Sequence, residues 1–228
     1  MEEVTFPQID HTALSEKVYL ILRTKILKRE LKFGEKLLTD KMASQLGVSR
    51  TPVKDAVNRL AMEGLVEKVA RRGTFVTTLT PQDVVELLDL RLLLELYAAE
   101  KVLEKNKVES LLTEMGKCMA SIDRAANSDD PDYDAYMSWN RELHLSLIRL
   151  AGNNRLLQMY RSLNIHLQVA RVHYSHTVAD VAQTQQEHKA IHEAFESGNW
   201  QQVKKAISAH INNVETTVLK TLEAHGIH

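Results

Sequence analysis

Over residues 15–77 the spacing of apolar residues changes once, from a helical period to an alternating one, and glycines mark the helix ends. Ser15 can cap a helix carrying Val18, Ile21, Leu22, Lys25 and Ile26 at three-four spacing, and Phe33-Gly34 breaks it. A short second helix, about Thr39 to Leu46, turns Met42, Ala43 and Leu46 inward and stops at Gly47. Ser49 can cap a third, with Val53, Ala56, Val57 and Leu60 on one face and Gly64 at its end. Leu65–Val69 and Thr74–Thr77 then read as two short strands around the turn Ala70-Arg71-Arg72-Gly73. Three helices followed by a β-hairpin predict a winged helix-turn-helix.

Composition excludes several alternatives. The 228 residues include 44% hydrophobic and 26% charged side chains, with a net charge of -1, which is globular and not disordered. One cysteine, Cys118, allows neither an internal disulfide nor a CxxC zinc pattern and fits a reducing compartment. The start MEEVTFPQIDH has no apolar run, so no secretory signal is expected. The greasiest stretch, VVELLDLRLLLELYAAE, is broken by Glu86, Asp89, Arg91 and Glu95, so no membrane span is expected. The expectation is a soluble, cytoplasmic, mainly α protein. Residues 1–80 hold 14 Lys/Arg against 10 Asp/Glu, whereas residues 81–228 hold 15 against 20. A basic first third on an acidic remainder fits two modules with different partners.

The second module opens at Thr80-Pro81-Gln82-Asp83, which supplies an N-cap, a proline at the first helical position and an acid in the first turn. The predicted boundary separates residues 1–79 from residues 80–228, with a linker of only a few residues. About six helices are expected beyond it, with breaks near Asn106, Asn127–Asp132, Asn153, Thr177–Asp180 and Gly198–Asn199.

Chemistry concentrates in two places. In the first module Arg50, Lys54 and Asn58 recur every four residues, opposite the apolar face of the third helix. Arg suits guanine edges with a bidentate fork, and Lys and Asn suit phosphates or base edges. The helix N-terminus offers N–H groups to a phosphate, although Pro52 removes one and leaves Ser49 only the Thr51 N–H to cap. Arg71-Arg72-Gly73 adds two cations on a tight hairpin. The competing reading is a solvated basic face that meets proteins. In the second module His144, His188 and His210 each occupy an inward position of their own helix, and Asn140 lies one turn before His144. Converging imidazoles can bind a borderline divalent metal, or they can be hydrogen-bonded core residues. His188 and His192 form a rival i, i+4 pair, whereas His166, His173 and His176 read as surface or lining residues. Arg91, amid leucines, needs a partner. It either pairs with Glu95 one turn on or clamps a carboxylate in a pocket.

The stretch LKFGEKLLTDKMASQLGVSRTPVKDAVNRLAMEGLVEKVARRGTFV resembles the DNA-binding domain of the GntR transcription regulators over about 65 residues. Three departures stand out. Phe33 replaces a usual Pro, Lys54 replaces a usual Arg, and Asp40 occupies a position that is basic in some members, with Lys41 adjacent. The residues expected to contact DNA are Lys41, Ser49, Arg50, Thr51, Lys54, Asn58, Arg71, Arg72, Gly73 and Thr74. Residues 81–228 resemble the all-helical FCD effector domain of the FadR-type GntR regulators. The matching pieces are Arg91–Glu95, Asn140…His144 before Ala151-Gly152-Asn153, Glu187-His188…Ile191, and His210. The resemblance implies a metal held by Asn140, His144, His188 and His210. His192 has no counterpart. The family position of Asn140 is usually Asp, so one of two outcomes is expected: weaker metal binding with a site charge of about +2 rather than about +1 and a stronger pull on an anion, or a decayed metal site that leaves a polar pocket.

These residues predict an effector-responsive transcription factor acting as a homodimer on a pseudo-palindromic double-stranded DNA operator. A small organic acid would bind at a divalent metal, zinc first with nickel or manganese as alternatives, and Arg91 would take part in effector binding. Two rivals remain: a regulator for which the ion itself is the signal, and a metal-dependent hydrolase, for which only Glu142 and Glu187 stand near as bases.

Overall fold

The computed structural model describes residues 11–28, 30–78, 80–126, 132–172 and 178–224. It divides into two compact units, Met1–Thr78 and Leu79–His228.

In the first unit, α1 (His11–Leu27), α2 (Thr39–Leu46) and α3 (Arg50–Met62) pack with strands β1 (Lys36–Leu37), β2 (Val66–Val69) and β3 (Gly73–Val76). The sheet is antiparallel in the order β1-β3-β2, with Val66 opposite Val76 and Lys36 opposite Phe75. This is the winged helix-turn-helix that the change of period predicts. Its core joins Val18, Leu22 and Ile26 of α1 to Val53, Val57 and Leu60 of α3, with Leu65 and Val76 closing the sheet side. Gly47 ends α2 with φ +65°, and its N–H returns to Ala43 and Ser44. That left-handed geometry is nearly free of strain only for glycine.

Several local expectations are corrected. Helix α1 begins at His11, before Ser15, so Ser15 is not its cap; its hydroxyl reaches Asp55 instead, at 3.4 Å. Ile21 faces outward and Tyr19 takes an inward place, its hydroxyl donating to both oxygens of Glu63. Leu46 is only half-buried. Ser49 has the extended backbone of an N-cap, but its side chain makes no capping bond, to Thr51 or to any other residue of α3. Strand β1 carries no period of its own because it is two residues long; pairing with β3 creates it.

The second unit contains α4 (Pro81–Glu104), α5 (Val108–Ala126), α6 (Tyr133–Leu150), α7 (Asn154–Val172), α8 (Val178–Glu196) and α9 (Trp200–Ala224). Thr80 caps α4 as its sequence predicts, and Asp83 answers it in a reciprocal capping box. Asp83 N–H donates to Thr80 Oγ1 at 3.1 Å, and Thr80 N–H donates to Asp83 Oδ2 at 2.8 Å. Helix α4 packs on α6, α7 and α9, while α5 packs on α6 and α8 and α8 on α9. The stripe Val84, Leu88, Arg91, Glu95, Ala98, Val102 therefore turns one ion pair into the middle of the bundle. Among the described residues no helix is long and apolar enough to cross a membrane.

Candidate functional site

Three helices bring one histidine each to a common point. On α6, Tyr136, Asn140, Leu143, His144 and Leu147 are buried together; on α8, Val181, Gln185, His188, Ile191 and Phe195 are; on α9, Val203, Ile207, His210 and Ile211 are. The polar residues sit in otherwise apolar inward stripes, so packing drives them inside. His144, His188 and His210 are all at most 3% exposed. Their ring centroids lie 5.1–5.4 Å apart, and one nitrogen from each lies within 4.8 Å of the other two.

Each ring is held from behind. His210 Nδ1 lies 2.8 Å from Glu187 Oε2, His144 Nδ1 lies 3.3 Å from Glu95 Oε2, and His188 Nδ1 lies 3.0 Å from Gln185 Oε1. All three partners are acceptors, so each Nδ1 carries the proton and donates, and each Nε2 presents a lone pair. Gln185 is fixed in turn, since its amide donates to Asp123 at 2.7 Å and to the Met119 carbonyl at 3.1 Å. Burial, reinforced by the nearby Arg91 charge, pushes His144 down to about 3. Burial also lowers His210, against the pull of Glu187. Neutral imidazoles are the form that ligates metal.

The donor set fits a metal. His144 Nε2 and Asn140 Oδ1 are fully buried with no hydrogen-bond partner among the described residues. Such acceptor atoms are costly in a packed interior unless a donor or a cation meets their lone pairs. Imidazoles with carboxylate or amide partners behind them are the usual second layer of a metal centre. Asn140 lies on the buried face of α6 one turn before His144. His192 stays outside the cluster, with Nδ1 3.6 Å from Glu196. His166, His173 and His176 lie outside the residues whose side chains are described.

Arg91 takes the i, i+4 partner anticipated for it. Its Nε donates to Glu95 Oε1 at 2.7 Å, and both side chains are at most 2% exposed. Its Nη2 also comes within 3.4 Å of His210 Nε2, so the guanidinium borders the histidine cluster. Tyr160 of α7 donates to the same Glu95 oxygen at 2.5 Å. Burial opposes ionisation of Glu95, but Arg91, His144 and Tyr160 outweigh it and hold the carboxyl well below its usual range. Sequence reasoning missed Tyr160 and Gln185 as partners, and Glu95 as a support for His144. Only the i, i+4 spacing of Arg91 and Glu95 could have flagged any of them.

In the first unit Arg50, Thr51, Lys54 and Asn58 are exposed along α3, and Lys41 is exposed on α2. Two are engaged: Arg50 Nε pairs with Asp40 Oδ1 at 2.7 Å, and Asn58 Oδ1 accepts from Lys68 of β2. Asn58 thereby ties α3 to β2 of the wing. At the wing tip Arg71 (φ +63°) and Gly73 (φ +120°) both have left-handed backbones, Arg72 lies 5.7 Å from the Phe75 ring, and Thr74 is half-buried. Ser49 is exposed beside Arg50.

Known proteins resemble this chain over both units. Residues 14–76 match the family described as bacterial regulatory proteins of the gntR family, and residues 86–213 match the FCD domain. The chain is 28% identical over 196 residues to the HTH-type transcriptional regulator YdhC of Bacillus subtilis, covering 86% of each. It is 27% identical over 142 residues to the gluconate operon transcriptional repressor of Bacillus subtilis, covering 62% of this chain and 57% of that one. A solved GntR regulator from Rhodococcus sp. RHA1 shares the fold with a TM-score of 0.72 at 20% identity, covering 91% of this chain and 98% of that one. An α3 with exposed cations, a wing and an all-helical unit around three histidines thus meet the family matches at both ends, and the chain belongs to the FCD-carrying, FadR-type branch of the GntR family of DNA-binding transcription regulators rather than to any enzyme family.

Proposed function

We propose that a small carboxylate, bound beside a divalent metal at His144, His188 and His210 with Asn140, sets the affinity of this regulator for its operator. The observation that carries the reading is that one nitrogen of each of the three buried histidines lies within 4.8 Å of the other two, while every Nδ1 is pinned by an acceptor. A bound divalent ion, zinc or alternatively nickel or manganese, supplies a Lewis-acidic anchor for a carboxylate. The protein's own groups do the rest. Glu187, Glu95 and Gln185 fix the tautomers and ring directions. Arg91, bordering His210, supplies a fixed positive charge on which an anion can rest. Asn140 brings an amide where an acid would neutralise part of the ion's charge, which strengthens the pull on an anion. The name of the Bacillus subtilis relative, a gluconate operon repressor, is in keeping with control by an acid.

On DNA, Arg50, Lys54 and the wing residues Arg71 and Arg72 contact a double-stranded operator. In a homodimer, two copies of α3 enter successive major-groove faces of a pseudo-palindrome. The effector shifts DNA affinity only by its unequal affinity for the two arrangements of the dimer, typically 5- to 150-fold. Elemental analysis of the purified protein, paired with thermal shifts for a panel of organic acids with and without chelator, tests the effector half. The expected result is near-stoichiometric metal and an acid-dependent rise in Tm that chelator abolishes. Full release from DNA by metal alone would instead make the ion the signal. Absence of both metal and ligand stabilisation would reduce the histidine cluster to a polar core.

A further inference from the structure

The acid on the DNA-reading face has no part in the function described so far. Asp40 is the second residue of α2, and Arg50 is the first residue of α3. Arg50 Nε lies 2.7 Å from Asp40 Oδ1, although both side chains are about two-thirds exposed, at 67% and 68%. An exposed pair of this kind adds little to stability, and the fold has no need of it. Helices α2 and α3 are already fixed by buried Met42, Ala43, Val53, Ala56 and Val57 and by the turn at Gly47. A negative charge beside a duplex also weakens the sequence-independent grip on phosphates. The carboxylate therefore has a cost for general DNA affinity, and its place in the first turn of α2 returns only the modest stability that an exposed acid gains from a helix dipole.

The geometry of the pair gives it an action through Arg50. The contact with Asp40 is made at Nε of the guanidinium, which is not one of its two Nη groups. Those two groups are the fork that meets guanine O6 and N7. A free arginine at a helix start samples many rotamers, and a guanidinium held at Nε is oriented before the duplex arrives. We propose that Asp40 is a specificity-determining positioning residue. It orients Arg50 for a guanine and trades general DNA affinity for discrimination at that base. This inference rests on the reading of Arg50 as a base-contacting residue.

The test uses the full-length protein. Duplexes are selected from a randomised library with the wild-type chain. Binding is then read by fluorescence anisotropy on the selected duplex, on versions with each guanine replaced in turn, and on a scrambled duplex at the same salt. R50A identifies the guanine that Arg50 reads. D40A is expected to lose about tenfold of the discrimination at that same guanine and to bind the scrambled duplex as tightly as wild type or a few-fold tighter. D40N, which keeps an acceptor oxygen, is expected to retain an intermediate discrimination. In the R50A background, D40A is expected to cost no further discrimination. Full discrimination in D40A overturns the inference, and so does equal tightening on every duplex, which would make Asp40 a simple electrostatic brake. Further loss in the double variant overturns it too, by making Asp40 a reader in its own right. If R50A itself discriminates as wild type does, the underlying reading of Arg50 fails; wild type and R50A alone decide that, before any Asp40 variant is measured. Unchanged circular-dichroism melts for D40A exclude misfolding, because the site is exposed.

Discussion

Glu95→Gln isolates the buried polar knot behind the histidines. Three donors converge on this one carboxylate: Arg91 Nε at 2.7 Å and Tyr160 Oη at 2.5 Å on Oε1, and His144 Nδ1 at 3.3 Å on Oε2. Glutamine is nearly the same shape but has one acceptor oxygen and an NH2 group, so at least one donor must face another donor. The Arg91 cation, only 2% exposed, also loses its counter-charge. Breaking a buried pair from one side typically costs about 3–5 kcal/mol. With a urea m-value of about 2 kcal/mol/M, the midpoint should fall by roughly 2 M. Both tryptophans, Trp139 and Trp200, lie in the second unit, so their fluorescence during urea unfolding of chelator-treated protein reports that unit alone. Replacing both members, as Arg91→Met with Glu95→Leu, should recover part of the loss, because no charge is orphaned, while Tyr160 and His144 still lose their acceptor. A Glu95→Gln midpoint that corresponds to less than about 1 kcal/mol of destabilisation would refute the reasoning and show that water reaches the knot.

Acid should destabilise the metal-free second unit. His144, held at about 3 by burial, and His210, also lowered by burial, bind fewer protons folded than unfolded below about pH 6.5. Stability should fall as pH drops through that value, by up to about 1.4 kcal/mol per pH unit per histidine; a urea midpoint flat between pH 7 and 5 would count against buried neutral imidazoles. Asn140→Asp supplies a charged ligand and should raise metal affinity about tenfold or more in competition with a chromophoric chelator, and no change would place residue 140 outside the coordination sphere. Gly73→Ala forces a side chain into φ +120° and should cost the wing about 1–3 kcal/mol, weakening operator binding while the tryptophan-monitored unfolding of the second unit stays put; unaltered DNA affinity would remove the wing from the interface.

What the sequence made legible was local or periodic. Thr80-Pro81-Gln82-Asp83 writes a cap, a first-position proline and a first-turn acid in four consecutive residues, and Gly47 ends α2 because only its immediate neighbours matter. The inward places of His144, His188 and His210 follow from their spacing with Leu147, Ile191 and Ile207 on single helices. Contacts across helices were not legible. Tyr160 meets Glu95 from 65 residues away and Gln185 meets Asp123 from 62, and no periodicity links such pairs. Local competition misled at two serines. Ser15 reads as a cap but reaches across to Asp55 from inside α1, and Ser49 stands at the start of α3 without using its hydroxyl there. Strand β1 was invisible because two residues carry no alternation. Arg50 was legible as an exposed cation, but its restraint by Asp40 depends on how α2 meets α3.

The central claim is that a carboxylate acts on DNA binding through the three-histidine centre. Its most direct test is the operator affinity of metal-loaded protein, measured by anisotropy while the acid that stabilises it most is titrated in. At least a fivefold change in Kd is expected, absent after chelation and absent in His188→Ala. An equal change in chelated protein, or none in metal-loaded protein, would contradict it.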